Sequence, residues 1–278
     1  MDRRVRSVGM ALAAWALTVG PAAGQDVAWD RSGEGRCEDS WGDRDRDRYC
    51  ETLSASMAAP SMLAVDGGMN GGVEVVGWSR DVVEVEARVW ATAGSESRAL
   101  ELAREVRLRV DGGRLSADGP RTERRENWGV SWTLRVPRSM DLDLETHNGG
   151  ISVDGVSGDI RFDAMNGGVR LAEVGGDVKG RTTNGGLHIE LAGNRWSGAG
   201  LDAETTNGGV RLYLPEGYSA DLVTGTVNGG IDIDFPVMVR GRIGRRLETT
   251  LGEGGATIRA VTTNGGVRIQ RTSGVPVR

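Results

Sequence analysis

The sequence predicts an all-β fold, in which one chain winds a β-solenoid of about 18–23 residues per turn with one short capping helix. Three observations predict it. The triplet Asn-Gly-Gly recurs along the chain, aliphatic residues keep fixed distances from each Asn, and the residues between them are polar. Right-handed winding is expected, because parallel crossover connections are almost always right-handed. The alternative is an antiparallel β-sandwich of hairpins with Asn-Gly-Gly turns.

The first 24 residues have the three parts of a secretory signal peptide. Arginines stand at positions 3, 4 and 6, residues 8–19 are apolar, and residues 22–24 are small. The apolar stretch is shorter than the roughly 20 residues that a membrane span needs, and no later stretch is long enough. We therefore expect an exported protein, periplasmic or at the cell surface, whose mature chain has no transmembrane segment and begins near Gln25.

Composition narrows the function classes further. The 278 residues are enough to bury a core, and the 44 glycines show no collagen period. The net charge of −5 disfavours nucleic acid as a partner, since sequence-independent binding needs clustered cations. Two histidines and two cysteines leave few residues for a metal site or for a nucleophile with its base.

Residues 25–60 are predicted to be a polar, weakly ordered segment. Residues 42–48 alternate Asp and Arg without an apolar period, and their Asp spacing lacks the Gly and Glu of a calcium-binding loop. Cys37 and Cys50 flank this run. In an exported chain they are expected to form one disulfide; a free thiol or half of a metal site is the alternative.

Residues 61–139 are predicted to form a β-rich N-terminal module. Val83, Val85 and Ala87 begin one of several alternating stretches that are typical of half-buried strands. Residues 95–106 depart from this alternation and fit a short amphipathic helix. The helix is expected to cap one end of the solenoid.

Residues 140–271 carry the repeat, and the tail 272–278 is expected to blunt its other end. The triplet Asn-Gly-Gly, followed each time by Val, Ile or Leu, begins at Asn148, Asn166, Asn184, Asn207, Asn228 and Asn264. The intervals are 18, 18, 23, 21 and 36 residues, the last being twice the first, and a seventh copy begins at Asn70. A constant phase over so many copies indicates stacked turns.

Columns of residues aligned on these Asn positions give the strand pattern. The third and fifth residues after Asn are aliphatic in every copy, and the fourth is polar. This alternation predicts a half-buried strand after each triplet, stacked about 4.8 Å from the next. Asn and Gly are expected to take positive-φ corner conformations, and the Asn side chains are expected to bond in a ladder.

The chain resembles the bacterial putative-adhesin family of exported β-strand-repeat domains of unknown function. The resemblance rests on residues 78–81 (Trp-Ser-Arg-Asp), on residues 135–137 (Arg-Val-Pro) with residues 142–144, and on the serial Asn-Gly-Gly-Val turns. It covers roughly Met62 to Ile269, and the serial turns are its most specific part. It implies a β-helical domain with no established catalytic residues.

A polysaccharide-acting enzyme is the third hypothesis for function, because some β-solenoids are lyases or hydrolases. Its candidate residues are outer-face carboxylates and arginines: Asp154, Glu190, Asp234, Arg170, Arg211 and Arg268. Cross-strand charge pairing explains these more simply, and His147 and His188 are expected to be exposed and too far apart to share a ligand. We therefore predict a non-enzyme with no catalytic, cofactor-binding or metal site.

Two hypotheses for function come before the enzyme. One is a cell-envelope binding or adhesion module that contacts a glycan or another envelope protein. Trp90 and Trp196 are its possible ligand-stacking residues, unless they pack against loops, whereas Trp132 is expected in the core. The other is a structural envelope protein that forms homo-oligomers by end stacking, since open solenoid ends are sheet edges.

Overall fold

The computed structural model describes residues 27–35, 37, 46–235 and 244–272. The predicted signal peptide, most of the Asp/Arg run and almost all of the tail lie outside the described residues. The elements before the first repeat of the 140–271 region are β1 (Asp30–Gly35), β2 (Asp47–Ala58), β3 (Met62–Asp66), β4 (Val73–Trp78), β5 (Val82–Ala93), α1 (Glu96–Glu105), β6 (Arg107–Asp111), β7 (Arg114–Asp118) and β8 (Asn127–Pro137).

The repeat region supplies the other strands. They are β9 (Asp141–Thr146), β10 (Ile151–Asp154), β11 (Ser157–Ala164), β12 (Val169–Ala172), β13 (Gly175–Asn184), β14 (Leu187–Glu190), β15 (Gly200–Asn207), β16 (Val210–Leu214), β17 (Ala220–Asn228), β18 (Ile231–Ile233), β19 (Arg246–Leu251), β20 (Thr257–Asn264) and β21 (Val267–Arg271). Each Asn-Gly-Gly joins a strand of one sheet to a strand of the other. We call such a strand pair a coil.

The strands lie in two sheets. The strands that follow Asn-Gly-Gly belong to the front sheet, whose order is β1-β2-β5-β8-β4-β10-β12-β14-β16-β21-β18. The strands that precede it belong to the back sheet, whose order is β19-β17-β20-β15-β13-β11-β9-β3-β7-β6. Stacked coils pair in parallel and in register, as Ile151 with Val169 and Val169 with Leu187. The predicted solenoid is confirmed, and the hairpin sandwich is wrong for the repeats because their coils pair in parallel.

The core lies between the two sheets. The aliphatic residues three and five positions after each Asn point inward, and those at Ile151 and Val153 are at most 1% exposed. Only the coil of Asn228 differs, because its Ile231 and Ile233 are partly exposed at the end of the stack. Each buried aliphatic side chain contributes about 1.5–3 kcal/mol, so the stack is stabilised mainly by these columns.

The first glycine of each triplet is required by the close approach of neighbouring coils. A Cβ at Gly167 would lie far inside van der Waals contact of the Gly149 carbonyl oxygen, and a Cβ at Gly185 would meet the Gly167 oxygen in the same way. No Asn or Gly of the seven triplets has a positive φ. The expectation of positive-φ corners is therefore wrong, because the motif uses glycine for its missing side chain.

The asparagines form the predicted ladder. Each side-chain amide Nδ2 donates to the Oδ1 of the Asn in the neighbouring coil, at 2.7–3.1 Å. At one end Asn70 donates instead to the main-chain oxygen of Trp128 at 3.2 Å. In stacking order the ladder runs through Asn70, Asn148, Asn166, Asn184, Asn207, Asn264 and Asn228.

A second ladder is made by the threonine two residues before each Asn. The Thr182 hydroxyl donates to the Gly167 carbonyl oxygen at 2.7 Å, and Thr146 donates to Gly71 at 2.6 Å. Thr205, Thr226 and Thr262 make the equivalent bond at 2.7 Å. Ala164 occupies this position in one coil, so that coil offers no hydroxyl to the Gly149 carbonyl oxygen.

Replacing Ala164 by threonine is expected to complete this ladder. The new hydroxyl would donate to the Gly149 oxygen and raise the free energy of unfolding by about 1 kcal/mol, the usual net value of one hydrogen bond. Urea unfolding measures the change. Ala164→Val adds the same volume without the hydroxyl and is the matched control. Equal stability of the two variants would show that the hydroxyl contributes nothing.

The coils do not stack in sequence order. The coil of Asn264 (β20 and β21) lies between those of Asn207 and Asn228, and the coil of Asn70 lies between β7–β8 and the coil of Asn148. Every coil presents the same Asn and Gly groups at the same positions, and the coils of Asn207, Asn264 and Asn228 also share the threonine. Any coil can therefore stack on any other, and the spacing along the chain does not fix the order.

The N-terminal residues extend the same core, so residues 61–139 are not a separate module. β3 and β4 form a coil of the solenoid, and β5, β2 and β1 continue the front sheet by antiparallel pairing. The expectation of weak order in residues 25–60 is wrong for β2, whose twelve residues all pair with β5. Its Cys50 is disulfide-bonded to Cys37.

The predicted short helix is present as α1. Ser95 caps its N-terminus, and its Ala99, Leu102 and Ala103 are buried against β5 and β2. α1 is the one helix of the described ranges, and it is not long and apolar enough to cross a membrane. Antiparallel strands occupy three of the four sheet ends, with β6 beyond β7, β1 beyond β2 and β19 beyond β17.

Candidate functional site

A furrow runs along the outer surface of the front sheet, parallel to the solenoid axis. Its volume is about 1030 Å³. Its floor contains the second glycine of every triplet, and we call it the glycine furrow. In stacking order these glycines are Gly72, Gly150, Gly168, Gly186, Gly209, Gly266 and Gly230. The furrow therefore crosses seven coils without interruption.

The second glycines are packed less tightly than the first ones. At four of them, Gly72, Gly150, Gly186 and Gly209, a Cβ would still lie 3.1–3.2 Å from a carbonyl oxygen of the neighbouring coil. A Cβ at Gly168 would lie 3.4 Å from the nearest atom, at Gly266 3.6 Å, and at Gly230 none lies within 4 Å. These three positions have room for a side chain, and none of the seven has a left-handed φ. A side chain there would project into the furrow. At these three positions glycine keeps the furrow open beyond what stacking requires.

The polar residues two positions further along each coil form one wall. In stacking order they are Thr133, Glu74, Ser152, Arg170, His188, Arg211, Arg268 and Asp232. Four neighbours in this wall, Arg170, His188, Arg211 and Arg268, stand on adjacent strands about 4.8 Å apart. Three of them are arginines, and we call the four the cation row. Glu74 and Asp232 carry the opposite charge towards its two ends.

Two members of the cation row share a carboxylate. Glu190 accepts a hydrogen bond from Arg170 at 3.1 Å, and its other oxygen lies 2.6 Å from His188 Nε2. The Tyr213 ring lies 4.9 Å from the His188 ring, tilted by 31°. These contacts give the middle of the wall a fixed aromatic surface beside charged groups.

Arg211 differs from the other two arginines. Arg268 is bound by Asp232 at 3.2 Å, whereas Arg211 makes no side-chain hydrogen bond or ion pair with the described part of the chain. Its guanidinium is exposed and carries five N–H donors. It can therefore take a carboxylate from outside the molecule without breaking an internal bond.

On the outer face of the back sheet, basic side chains form ion pairs with neighbouring acidic side chains. Arg181 binds Asp163 at 2.9 Å, and Lys179 binds Asp177 at 2.8 Å. The hydrogen bond from Lys179 lowers the pKa of the Asp177 carboxyl. This face mixes acids and bases, and in the described strands no more than two basic residues are neighbours in a column.

Main-chain groups on the furrow floor are already bonded. The Gly168 carbonyl accepts from the Ile151 N–H at 3.0 Å, and the Gly186 carbonyl accepts from the Val169 N–H at 2.9 Å. Gly209, Gly266 and Gly230 are bonded in the same way. The furrow thus offers side chains and glycine surface to a ligand, and the floor carbonyls are already bonded.

The tryptophans predicted as ligand-stacking residues are placed differently. Trp196 is 6% exposed, and its Nε1 donates to the Gly176 carbonyl at 3.0 Å, so it anchors the 193–198 insertion instead of facing solvent. Trp90 is half-buried, and the Arg48 guanidinium lies 4.9 Å from its ring centre. Neither reaches the glycine furrow. Trp132 is buried, as expected for a core residue.

The candidate enzyme residues fall along the front sheet. Asp154 and Glu190 lie two coils apart in one column, with the buried Ala172 between them. Asp234 lies at the far end, where it accepts a bond from Gln270 at 3.3 Å. His147 lies at a corner and His188 on the furrow wall. Among the described residues no group of three or more His, Cys, Asp or Glu is placed to hold a metal ion.

The arginines could be identified from the sequence as outer-face residues. Their alignment in the cation row and the glycine furrow could not. In sequence order Asp232 would stand between Arg211 and Arg268. The out-of-order coil places Arg268 beside Arg211 and moves Asp232 to the end. The signal that was present is the second glycine, which recurs in every copy although a side chain would fit at Gly168, Gly266 and Gly230.

Solved structures resemble this chain only distantly. A putative cell adhesion protein from Clostridium sporogenes is 7% identical, with a TM-score of 0.44, over 80% of this chain and 100% of that one. A putative adhesin from Bacteroides fragilis is 11% identical, with a TM-score of 0.30, over 80% and 97%. A putative lipid binding protein from Parabacteroides distasonis is 8% identical, with a TM-score of 0.29, over 80% and 97%.

No curated protein matches the sequence. One family model does, Toastrack DUF4097, over residues 132–270. The match spans half of the chain and contains six of the seven Asn-Gly-Gly triplets. It begins later than the predicted Met62, although the coil of Asn70 has the same structure. The chain belongs to the Toastrack DUF4097 family, which confirms the resemblance to the putative-adhesin domains of unknown function.

Proposed function

We propose that this chain is a non-catalytic binding module of the adhesion type, and that it acts in the cell envelope through the glycine furrow. The observation that carries the proposal is the row of seven second glycines, which leaves an open track along the solenoid. A track of this length fits an extended ligand rather than a small molecule. The named adhesins among the distant structures are consistent with it but add no argument.

Export is part of the proposal. The N-terminal basic, apolar and small-residue segments have the order of a secretory leader. The Cys37–Cys50 disulfide supports an oxidising compartment outside the cytoplasm.

The end-stacking alternative has less support. A solenoid that grows by stacking needs free sheet edges at both ends. Here β6, β1 and β19 run antiparallel to their neighbours and end the parallel stack at three of the four edges. β18 is the outer strand at the fourth edge and has only three residues. This arrangement favours a monomeric binding module.

A furrow-filling variant tests the proposal on the mature chain. We expect the wild type to bind extended glycans on an array, and Gly168→Leu with Gly266→Leu to weaken that binding at least about tenfold, because both side chains would project into the track. Gly94→Leu is the matched control, since Gly94 is exposed with nothing within 4 Å of a Cβ. Thermal unfolding checks that all variants fold.

Two outcomes would contradict the proposal. One is a wild-type protein that binds no glycan or envelope polymer. The other is a folded double variant that binds as tightly as the Gly94→Leu control, because the furrow would then not be the site.

A further inference from the structure

The charge along the glycine furrow indicates which extended ligand it takes. We infer that the furrow binds a linear acidic polysaccharide, a chain of sugars bearing carboxylates, laid along the solenoid axis with a carboxylate on Arg211. This inference rests on the proposed function and narrows its ligand class. Three observations support it: the charges of the cation row, the hydrogen bonds that the floor carbonyls already make, and the spacing between coils.

The first step concerns charge. Arg170 and Arg268 each have an acid partner, but Arg211 stands between them, exposed and without a partner among the described residues. A guanidinium matches a planar carboxylate with two parallel hydrogen bonds. Glu74 and Asp232 lie beyond the row on either side and would repel further anionic groups. The attraction for a carboxylate is therefore greatest at Arg211.

The second step excludes a peptide strand. Peptides that add to a sheet need unpaired main-chain groups, and the floor carbonyls of the furrow are all bonded between coils. Side chains on one face of an extended peptide repeat at about 6.6–6.8 Å, whereas the coils repeat at about 4.8 Å. The carboxylates of an acidic peptide laid along the axis would therefore no longer lie opposite the residues of the cation row after two or three coils.

The third step favours a sugar chain over a nucleic acid. Glu190 stands beside Arg170 and His188 and would face either polyanion, so the distinction comes from hydrogen bonding. Each unit of a sugar chain carries several hydroxyls, whereas a nucleotide carries at most one. Sugar hydroxyls can use Glu190 and Ser152 as acceptors, and the Tyr213 ring beside His188 offers an apolar surface to a sugar face.

The test uses polygalacturonate and the same polymer with its carboxylates methyl-esterified. The two polymers share one backbone and differ in charge. We expect the mature chain to bind polygalacturonate in calorimetry, to bind the esterified form at least about tenfold more weakly, and to lose affinity as salt is raised.

Arg211→Gln is the decisive variant. It removes the unpaired cation and is expected to weaken polygalacturonate binding about tenfold, the size of a charged hydrogen-bond pair. Arg181→Gln makes the same change on the back sheet and should alter the affinity less than about twofold. Both arginines are exposed, so both variants should unfold at the wild-type temperature.

The contrary outcomes separate this inference from the proposed function. Equal binding of both polymers, lost in the furrow-filled double variant, would overturn the acidic ligand and leave a furrow-binding module. Binding of polyglutamate or single-stranded DNA instead, abolished by Arg211→Gln, would overturn the polysaccharide. Binding of polygalacturonate unchanged by Arg211→Gln would overturn the placement on the cation row. Absence of any binding in the furrow would overturn both proposals.

Discussion

Replacing Gly167 by alanine is expected to destabilise the solenoid by about 3 kcal/mol or more, although the change adds a single methyl group. The new Cβ would overlap the Gly149 carbonyl oxygen of the neighbouring coil. That oxygen cannot move away easily, because the Asn ladder and the inter-coil hydrogen bonds fix the spacing of the coils. The overlap must therefore be relieved by separating two coils.

Gly168→Ala is the matched control for this prediction. It makes the same chemical change at the next residue, where the Cβ has 3.4 Å to the Gly186 oxygen. The intrinsic difference between the two residues favours alanine by about 0.5–1 kcal/mol, so Gly168→Ala is expected to change the free energy of unfolding by about 1 kcal/mol or less. Urea unfolding followed by circular dichroism compares the two. Similar losses for both would show that the first glycine is not set by close approach.

Much of this fold can be predicted from the sequence because the repeat is exact in its inward positions. The aliphatic residues three and five places after each Asn give the strands of the front sheet, and the parallel register follows from their constant phase. The Asn ladder could be predicted for the same reason. These features depend only on what each coil presents to an identical neighbour.

The stacking order could not be predicted, and it decides the candidate site. Asn228 precedes Asn264 in the chain. In the stack, however, the coil of Asn228 lies at the end, and the coil of Asn264 lies between it and the coil of Asn207. Both stacking orders would give these coils the same contacts with their neighbours. The residues at the contacts therefore do not favour one order over the other. The cation row is continuous only in the observed order. Its binding character is thus a property of the stack and not of any one motif.

Trp196 shows a different limit. It lies in an insertion between two coils, where the repeat gives no information about which side chain turns inward. A tryptophan in a polar insertion is compatible with solvent exposure or with an anchoring role. Its hydrogen bond to the Gly176 carbonyl makes it the anchor, and that contact joins residues twenty positions apart.

Phe162 marks one place where neighbouring coils are not identical. In its inward column of the back sheet, Leu144, Gly180 and Ala203 occupy the adjacent coils. The Phe162 ring lies over Gly180, where a Cβ would come 2.5 Å from the ring carbon Cγ. The large and small residues are complementary, so one side chain fills the space of two.

Phe162→Ala is therefore expected to cost at the upper end of the usual range for such changes, about 3–5 kcal/mol. The cavity cannot close, because Gly180 has no side chain to move into it and the strand spacing is fixed by the ladders. Urea unfolding measures the loss, and Phe162→Leu, which keeps most of the volume, should cost about 1.5 kcal/mol or less. A loss below that of Phe162→Leu would mean that the coils collapse onto the cavity, and the ladders would then be less rigid than the hydrogen-bond pattern implies.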